Sequence, residues 1–160
     1  MREINNPFVD HEGYHCFGCD PNNRFGLKMR FIEEEERVVS HWEPTASYQG
    51  FTDVLHGGIQ ATLMDELASW YVFVKLKTSG MTERLEVRFN TPVYISGGTV
   101  TVTAELVDQE RRKARVRLAV YQGDGEAKSE GECIYTIFPE PLARRKLNYP
   151  GYEAFLPSEH

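Results

Sequence analysis

The sequence contains few cysteines, no long apolar run and no excess of positive charge. Three cysteines among 160 residues are an odd number and too few for a disulfide framework, so we expect them to be reduced. The main uncharged apolar stretch, residues 67–74, is far shorter than the roughly 20 residues of a membrane helix. Eighteen Lys and Arg against 24 Asp and Glu give a formal net charge of −6, the wrong sign for neutralising phosphates. The sequence therefore predicts neither a membrane protein nor a nucleic-acid-binding protein.

The amino-terminal region raises the questions of location and metal binding. The opening residues MREINNPF lack the apolar region of a secretory signal, so we expect a cytoplasmic protein. Cys16 and Cys19 have the spacing of half a zinc knuckle, but no second CxxC or HxxxH follows to complete four ligands. His11 and His15 are the nearest residues that would complete a set, and Cys133 stands alone. We expect a packed loop here, with no metal and no cofactor.

Alternation of apolar and polar residues predicts most of a sheet. Residues 84–89 alternate strictly, and the same period recurs at 100–106 and 114–120, while 127–138 is also extended. Residues 27–31 alternate as well, and the acidic run that follows them is interpreted as a solvated hairpin end. A hydrophobic content of 41% suits one globular domain. These patterns predict antiparallel strands before and after one segment of the sequence that lacks the alternation.

That segment, from Ile59 to about Lys77, has the period of a helix. Apolar side chains at positions 59, 63, 67, 70 and 74 fall on one narrow arc. Strands, one long helix and then more strands is an α+β order, with the helix lying across the sheet. Residues 139–160 are rich in proline and are expected to form an irregular arm after a domain that spans residues 1–138.

The residues that suggest chemistry begin at the start of this helix. His56, Gly57 and Gly58 precede it, and the first N–H groups of a helix lack internal partners and favour negative charge. Asp65 follows within an otherwise apolar helix, where a carboxylate is costly unless it is paired or used. Taken singly, the glycines form a turn and Asp65 is a satisfied acid; together they suggest an oxyanion donor and a catalytic carboxylate. We expect His56 to cap the helix rather than act as the base.

Three segments resemble a known family. They are CFGCDPNNRFGLKMRF (16–31), YQGFTDVLHGGIQATLMDE (48–66) and VRFNTPV (87–93), and together they are similar to the PaaI-like acyl-CoA thioesterases of the hotdog fold. The resemblance implies a sheet wrapped around one central helix, homodimers that often form homotetramers, and hydrolysis of acyl-CoA without a metal or an organic cofactor.

The same resemblance implies roles for individual residues. Gly57 would supply the N–H that polarises the thioester carbonyl, and Asp65 would be the nucleophile or the base that activates water. Thr82 stands where some relatives have a hydroxyl that orients water. Where others have a polar helper six positions before the histidine, this sequence has Gly50, which leaves neighbouring Gln49 as the candidate.

Two other functions and one geometric constraint remain open at this level. Hotdog folds also include hydroxyacyl dehydratases and acyl-CoA-binding regulators that are not catalytic. Gly57 and Asp65 are eight residues apart, which is about 12 Å along a helix axis. One carbonyl cannot contact both within one chain, so we expect each site to be shared by two chains.

Overall fold

The computed structural model describes residues 1–158 and contains a seven-stranded antiparallel sheet wrapped around one long helix. The strands are β1 (Arg2–Glu3), β2 (Ile32–Glu33), β3 (Arg37–Trp42), β4 (Gly80–Phe89), β5 (Val100–Glu110), β6 (Lys113–Gln122) and β7 (Ser129–Ile137). The helices are α1 (Gly57–Lys75) and α2 (Glu140–Leu147). The sheet order is β1-β2-β3-β5-β6-β7-β4, and α1 packs against β3 to β7. The expected α+β architecture is confirmed.

Helix α1 begins two residues earlier than the apolar period predicts and ends near the predicted residue. Lys75 in its last turn pairs with Glu33 at 3.2 Å and donates to the backbone carbonyl oxygen of Glu35 at 3.0 Å. A cation suits the negative end of the helix dipole. The acidic run does form the turn of the β2–β3 hairpin, and Lys75 fastens that turn to the end of the helix. Among residues 1–158, no helix is both long enough and apolar enough to cross a membrane.

The core lies between α1 and the concave face of the sheet, with the chain termini closing the other side. Leu63 and Leu67 are fully buried, and the ring of Trp70 stacks on Phe31 with centroids 4.2 Å apart. Rings from both termini, Phe8 and Phe155, meet Trp70 edge-on at 6.5 and 5.7 Å. The helix is therefore covered on nearly all sides, as its apolar composition requires.

The alternating residues 27–31 are not a strand. Their apolar side chains are buried, but their backbone pairs with the CxxC turn: Leu27 N–H donates to the Phe17 carbonyl at 2.7 Å, and Met29 N–H donates to the Gly18 carbonyl at 2.9 Å. Regular strand geometry starts only at Ile32. The period correctly marked which side chains are buried, but the backbone partner is a turn rather than a strand.

The carboxyl-terminal arm is more regular than expected. Pro139 occupies the N-cap position of α2, and Pro141 lies in its first turn, where the fixed φ and the missing N–H of proline are tolerated. Asn148 ends the helix in a left-handed conformation. Tyr149 and Phe155 are buried and stack on each other with centroids 5.8 Å apart, so they anchor the arm to the body. Residues 159 and 160 of the expected arm lie outside the described residues.

Strand β4 forms one edge of the sheet and carries a bulge. It pairs only with β7 among the described strands, and its register shifts between Thr82 and Arg84. On one side of the shift Thr82 faces buried Tyr135, and on the other Leu85 faces buried Cys133. Strict alternation would put residues 82 and 85 on opposite faces. The extra residue brings both to the face that meets α1.

Candidate active site

His56 caps α1. Its backbone is extended, and its Nδ1 accepts a hydrogen bond from the Gly58 N–H at 2.9 Å. Its carbonyl accepts from the N–H groups of Ile59 and Gln60, which closes the first turn. The imidazole is thus folded back on the helix start, where it satisfies one of the orphan donors. This geometry agrees with a capping role and leaves Nδ1 unavailable as a base while the cap is formed.

Gly57 presents the neighbouring N–H. Within residues 1–158 this N–H has no acceptor, and it lies at the positive end of the helix dipole. Gly57 lines an open cavity of about 670 Å³ together with Phe89 and Asn90. A Cβ at position 57 would lie 3.3 Å from the Phe89 ring, so glycine keeps the approach to this N–H clear. The helix start can therefore polarise a carbonyl that enters the cavity.

Asp65 and Thr82 are brought together by the β4 bulge. The Thr82 hydroxyl donates to Asp65 Oδ1 at 2.6 Å, across the gap between β4 and the middle of α1. Asp65 is half-buried and Thr82 is exposed, so the pair lies at the open edge of the sheet. The carboxylate is held in one orientation and remains accessible from outside the chain.

The groups behind Asp65 remain neutral at physiological pH. Burial, followed by the nearby charge of Asp65, raises the pKa of Cys133 to about 12, and burial also raises the pKa of Tyr135. A thiol with such a pKa is a poor nucleophile near pH 7. Asp65 is thus the group in this cluster suited to accept a proton or attack a carbonyl.

Glu66, the carboxylate next to Asp65 in sequence, faces a different part of the molecule. Its Oε1 accepts from Trp70 Nε1 at 3.1 Å and lies 3.5 Å from Cys16 Sγ. Adjacent helical residues point about 100° apart, and here one carboxylate meets the β4 edge while the other meets the amino-terminal segment. Of these two adjacent carboxylates, Asp65 is the one that lies at the open edge of the sheet.

Gln49 does not join the other candidates. Its side chain is exposed, and its Oε1 accepts from the Asp53 N–H at 3.2 Å, which stabilises the loop before α1. Neighbouring Gly50 does line the cavity at Gly57. The structure therefore brings together Asp65 with Thr82, and His56 with the two glycines, but it leaves these two groups about 12 Å apart along the helix.

Two cavity-lining residues, Phe89 and Asn90, were not singled out as site residues from sequence. Asn90 is fixed by hydrogen bonds from its Nδ2 to the Ala127 carbonyl at 3.2 Å and to Glu130 Oε2 at 3.1 Å. Both residues lie in the VRFNTPV segment that carried part of the family resemblance. The signal was present in that motif, but only the fold places the end of β4 against the start of α1.

Comparison with known proteins gives a family match for the middle of the chain. The family model described as thioesterase superfamily matches residues 52–128, a range that contains the cap, both glycines, Asp65 and Thr82. This segment belongs to the thioesterase superfamily. The hotdog fold implied by the resemblance is confirmed. A search of curated proteins found no sequence match.

Solved structures agree with the hotdog fold at low sequence identity. AziG from S. sahachiroi superposes with a TM-score of 0.64 at 19% identity, covering 71% of this chain and 94% of that one. A hypothetical thioesterase protein from Streptococcus pneumoniae, solved with coenzyme A, gives 0.64 at 17% identity, covering 70% and 90%. The smu.793 protein from Streptococcus mutans, bound to acetyl CoA, gives 0.64 at 14% identity with the same coverage. At these low identities, the superpositions show that this chain shares its fold with the three solved structures.

Proposed function

We propose that this thioesterase-superfamily protein hydrolyses an acyl-CoA thioester to a free acid and CoA, in the manner of PaaI-like enzymes. The observation that carries the proposal is that the segment matched by the superfamily model contains both an unpartnered N–H at a helix start and an accessible, oriented carboxylate. The CoA and acetyl-CoA found with two similar structures support the substrate class. A thioester has a reactive carbonyl and a thiolate leaving group, so these two groups suffice without a Ser-His-Asp relay.

In this mechanism the thioester carbonyl oxygen accepts the Gly57 N–H, which stabilises the negative charge that develops there. Asp65 either removes a proton from the attacking water or attacks the carbonyl itself. In the first case the tetrahedral intermediate expels CoA thiolate, which takes up the proton. In the second case the Asp65 carboxylate adds to the carbonyl, and loss of CoA thiolate from this adduct leaves a mixed anhydride. Water then hydrolyses the anhydride to the free acid and regenerates the Asp65 carboxylate, and the proton released goes to the CoA thiolate. Neither route requires a metal or an organic cofactor at the carbonyl.

The two groups act on one carbonyl only if they come from different chains. We propose a homodimer in which the open β4 edges pair about a twofold axis and the two α1 helices lie antiparallel. Exposed apolar side chains on β4, Met81 at 59% and Phe89 at 52% exposed, support burial of this edge. The start of one helix then comes level with Asp65 of the other. Pairing of two such dimers into a tetramer is compatible with this arrangement.

The activity is tested by thiol release from acyl-CoAs of short, medium, long and aryl acyl groups, monitored with a chromogenic disulfide. We expect turnover of at least one class. Tight acyl-CoA binding with no turnover of any would instead support a regulatory binding protein, and hydration of an enoyl-CoA would support a dehydratase.

The shared site is tested by co-expressing Asp65→Asn with Gly57→Pro, each inactive alone. Proline removes the N–H at the first helical position, where it is tolerated, and the φ of −59° and ψ of 132° at His56 suit a residue before proline. Gly57→Ala is the matched control, since it adds a Cβ beside Phe89 but keeps the N–H. Random pairing makes half of the dimers mixed, with one intact site each, so about a quarter of normal activity returns. Folded mixed dimers without activity would place the site within one chain.

A further inference from the structure

A second cluster of reactive side chains includes Glu66, the residue next to Asp65 on α1. The Sγ atoms of Cys16 and Cys19 and a carboxylate oxygen of Glu66 all lie within 4.8 Å of one another. It is the one group of three or more His, Cys, Asp or Glu side chains with this spacing found among residues 1–158. The proposed hydrolysis uses none of the three. The cluster joins the amino-terminal turn to the middle of the helix.

The CxxC turn is fixed by the segment that follows it. The carbonyl groups of Phe17 and Gly18 accept hydrogen bonds from the backbone N–H groups of Leu27 and Met29. Both sulfurs are free of disulfides and point to the same side as Glu66.

Glycine at position 18 lets Glu66 reach this turn. A Cβ there would lie 2.5 Å from both Cδ and Oε2 of Glu66, a distance that real Cβ atoms do not adopt. The carboxylate therefore sits directly on the turn in space that any other residue would fill.

Glu66 and Cys19 each also contact a polar side chain outside the cluster. Trp70 Nε1–H donates to Glu66 Oε1 at 3.1 Å, and the Tyr14 hydroxyl lies 2.8 Å from Cys19 Sγ. Outer hydrogen bonds of this kind orient the ligands of metal sites.

We propose that Cys16, Cys19 and Glu66 bind a zinc ion, with water as the fourth ligand. Among the common divalent ions, zinc is one that two thiolates and one carboxylate bind well. With Zn–S and Zn–O bonds of about 2.3 and 2.0 Å, a tetrahedral site places sulfur and oxygen about 3.5 Å apart. The distance from Cys16 Sγ to Glu66 Oε1 is 3.5 Å. All three side chains, together with His11, line a cavity of about 480 Å³, which leaves room for a water ligand.

The ion would act as a structural link between the amino-terminal segment and α1. Asp65 accepts from Thr82 on β4 and is not a member of the cluster, so the proposal gives zinc no role at the thioester carbonyl. This separates the two proposals: loss of zinc lowers the melting temperature, while hydrolysis measured well below that temperature continues. His15, also near the cysteines in sequence, instead lies 3.5 Å from Asp20 and is not part of the set.

The test begins with full-length protein purified under reducing conditions, whose zinc content is measured per chain. We expect one zinc ion, removed by a chelator and restored by Zn²⁺ titrated against a chromogenic competitor. Replacement by Co²⁺ should give thiolate-to-cobalt charge-transfer absorption. Cys16→Ser, Cys19→Ser and Glu66→Gln should each weaken zinc binding about a hundredfold or more, since removal of even an outer partner costs 10–100-fold. Cys133→Ser is the control and should bind zinc as the parent does.

A further variant, which keeps all three proposed ligands, tests the zinc site in case the ligand variants do not fold. Gly18→Ala keeps both thiols and the carboxylate but displaces Glu66, so it should retain the fold, checked by circular dichroism, and bind zinc more weakly. Three results would overturn the proposal: reduced, folded protein that binds no zinc, full affinity in both Cys16→Ser and Cys19→Ser, or a cobalt spectrum without thiolate bands. A disulfide between Cys16 and Cys19 that persists under reducing conditions, with or without added zinc, would also overturn it.

Discussion

Replacement of Asp65 by asparagine isolates the role of the carboxylate. Asparagine has the same shape, and its side-chain oxygen still accepts the Thr82 hydroxyl at the position now 2.6 Å away. Because Asp65 is half-buried and keeps this bond, we expect unfolding free energy to change by less than about 1 kcal/mol. The amide can neither accept a proton from water nor attack a thioester. The missing acid-base group should therefore lower kcat about a hundredfold or more, which is about 2.7 kcal/mol in the barrier.

The assay is steady-state thiol release by Asp65→Asn at several acyl-CoA concentrations, with circular dichroism as the measure of folding. The matched control is Glu66→Gln, which removes the neighbouring negative charge and keeps an oxygen that accepts from Trp70. Glu66 faces the amino-terminal segment, so its variant should keep most of the activity, as should Cys16→Ser. An inactive Glu66→Gln beside an active Asp65→Asn would refute the assignment. In single turnover in H₂¹⁸O, label in the side chain of Asp65 would identify attack by Asp65, since a base that only activates water leaves all of the label in the product acid.

Two further changes test the elements that support this site. Thr82→Val removes the hydroxyl that orients Asp65. A hydrogen bond to a charged group contributes about 1.5–3 kcal/mol, and partial access of solvent favours the lower end of this range. We therefore expect kcat to fall about tenfold with little change in KM. Thr82→Ser should restore it, and equal losses in both variants would argue against orientation by the hydroxyl. Phe155→Ala removes a buried ring from the terminal layer at a cost of about 3–5 kcal/mol, which lowers Tm by about 6–20 °C, whereas exposed Glu153→Ala should have little effect. A Tm loss below about 2 °C in thermal unfolding would show that the arm does not stabilise the domain.

Most of the architecture could be predicted from local patterns. Alternation at 84–89, 100–106 and 114–120 gave three strands, because a half-buried strand exposes every second side chain to water. The helical arc from Ile59 gave α1, since a helix of such apolar content must lie in the core. The same patterns predicted buried side chains at 27–31 but not the backbone partner of that segment, since a turn from elsewhere in the chain supplies it.

The candidate site was only partly predictable. The sequence placed His56 and the two glycines at the start of a helix, where capping geometry follows from local chemistry. It could not show that Thr82 reaches Asp65, because the alternation of residues 84–89 would turn residue 82 to the outer face. The bulge that reverses it depends on pairing with β7, which is distant in sequence.

What the sequence determined by itself is therefore local: period, caps and the presence of a carboxylate in an apolar helix. What the tertiary structure decided is which distant groups meet. Asp65 and Glu66 are adjacent and chemically alike, yet one faces Thr82 at the open sheet edge and the other meets Cys16 at the amino-terminal turn. The physical reason is that α1 is packed on nearly all sides, so a rotation of about 100° between neighbouring residues brings each carboxylate to a different neighbouring segment.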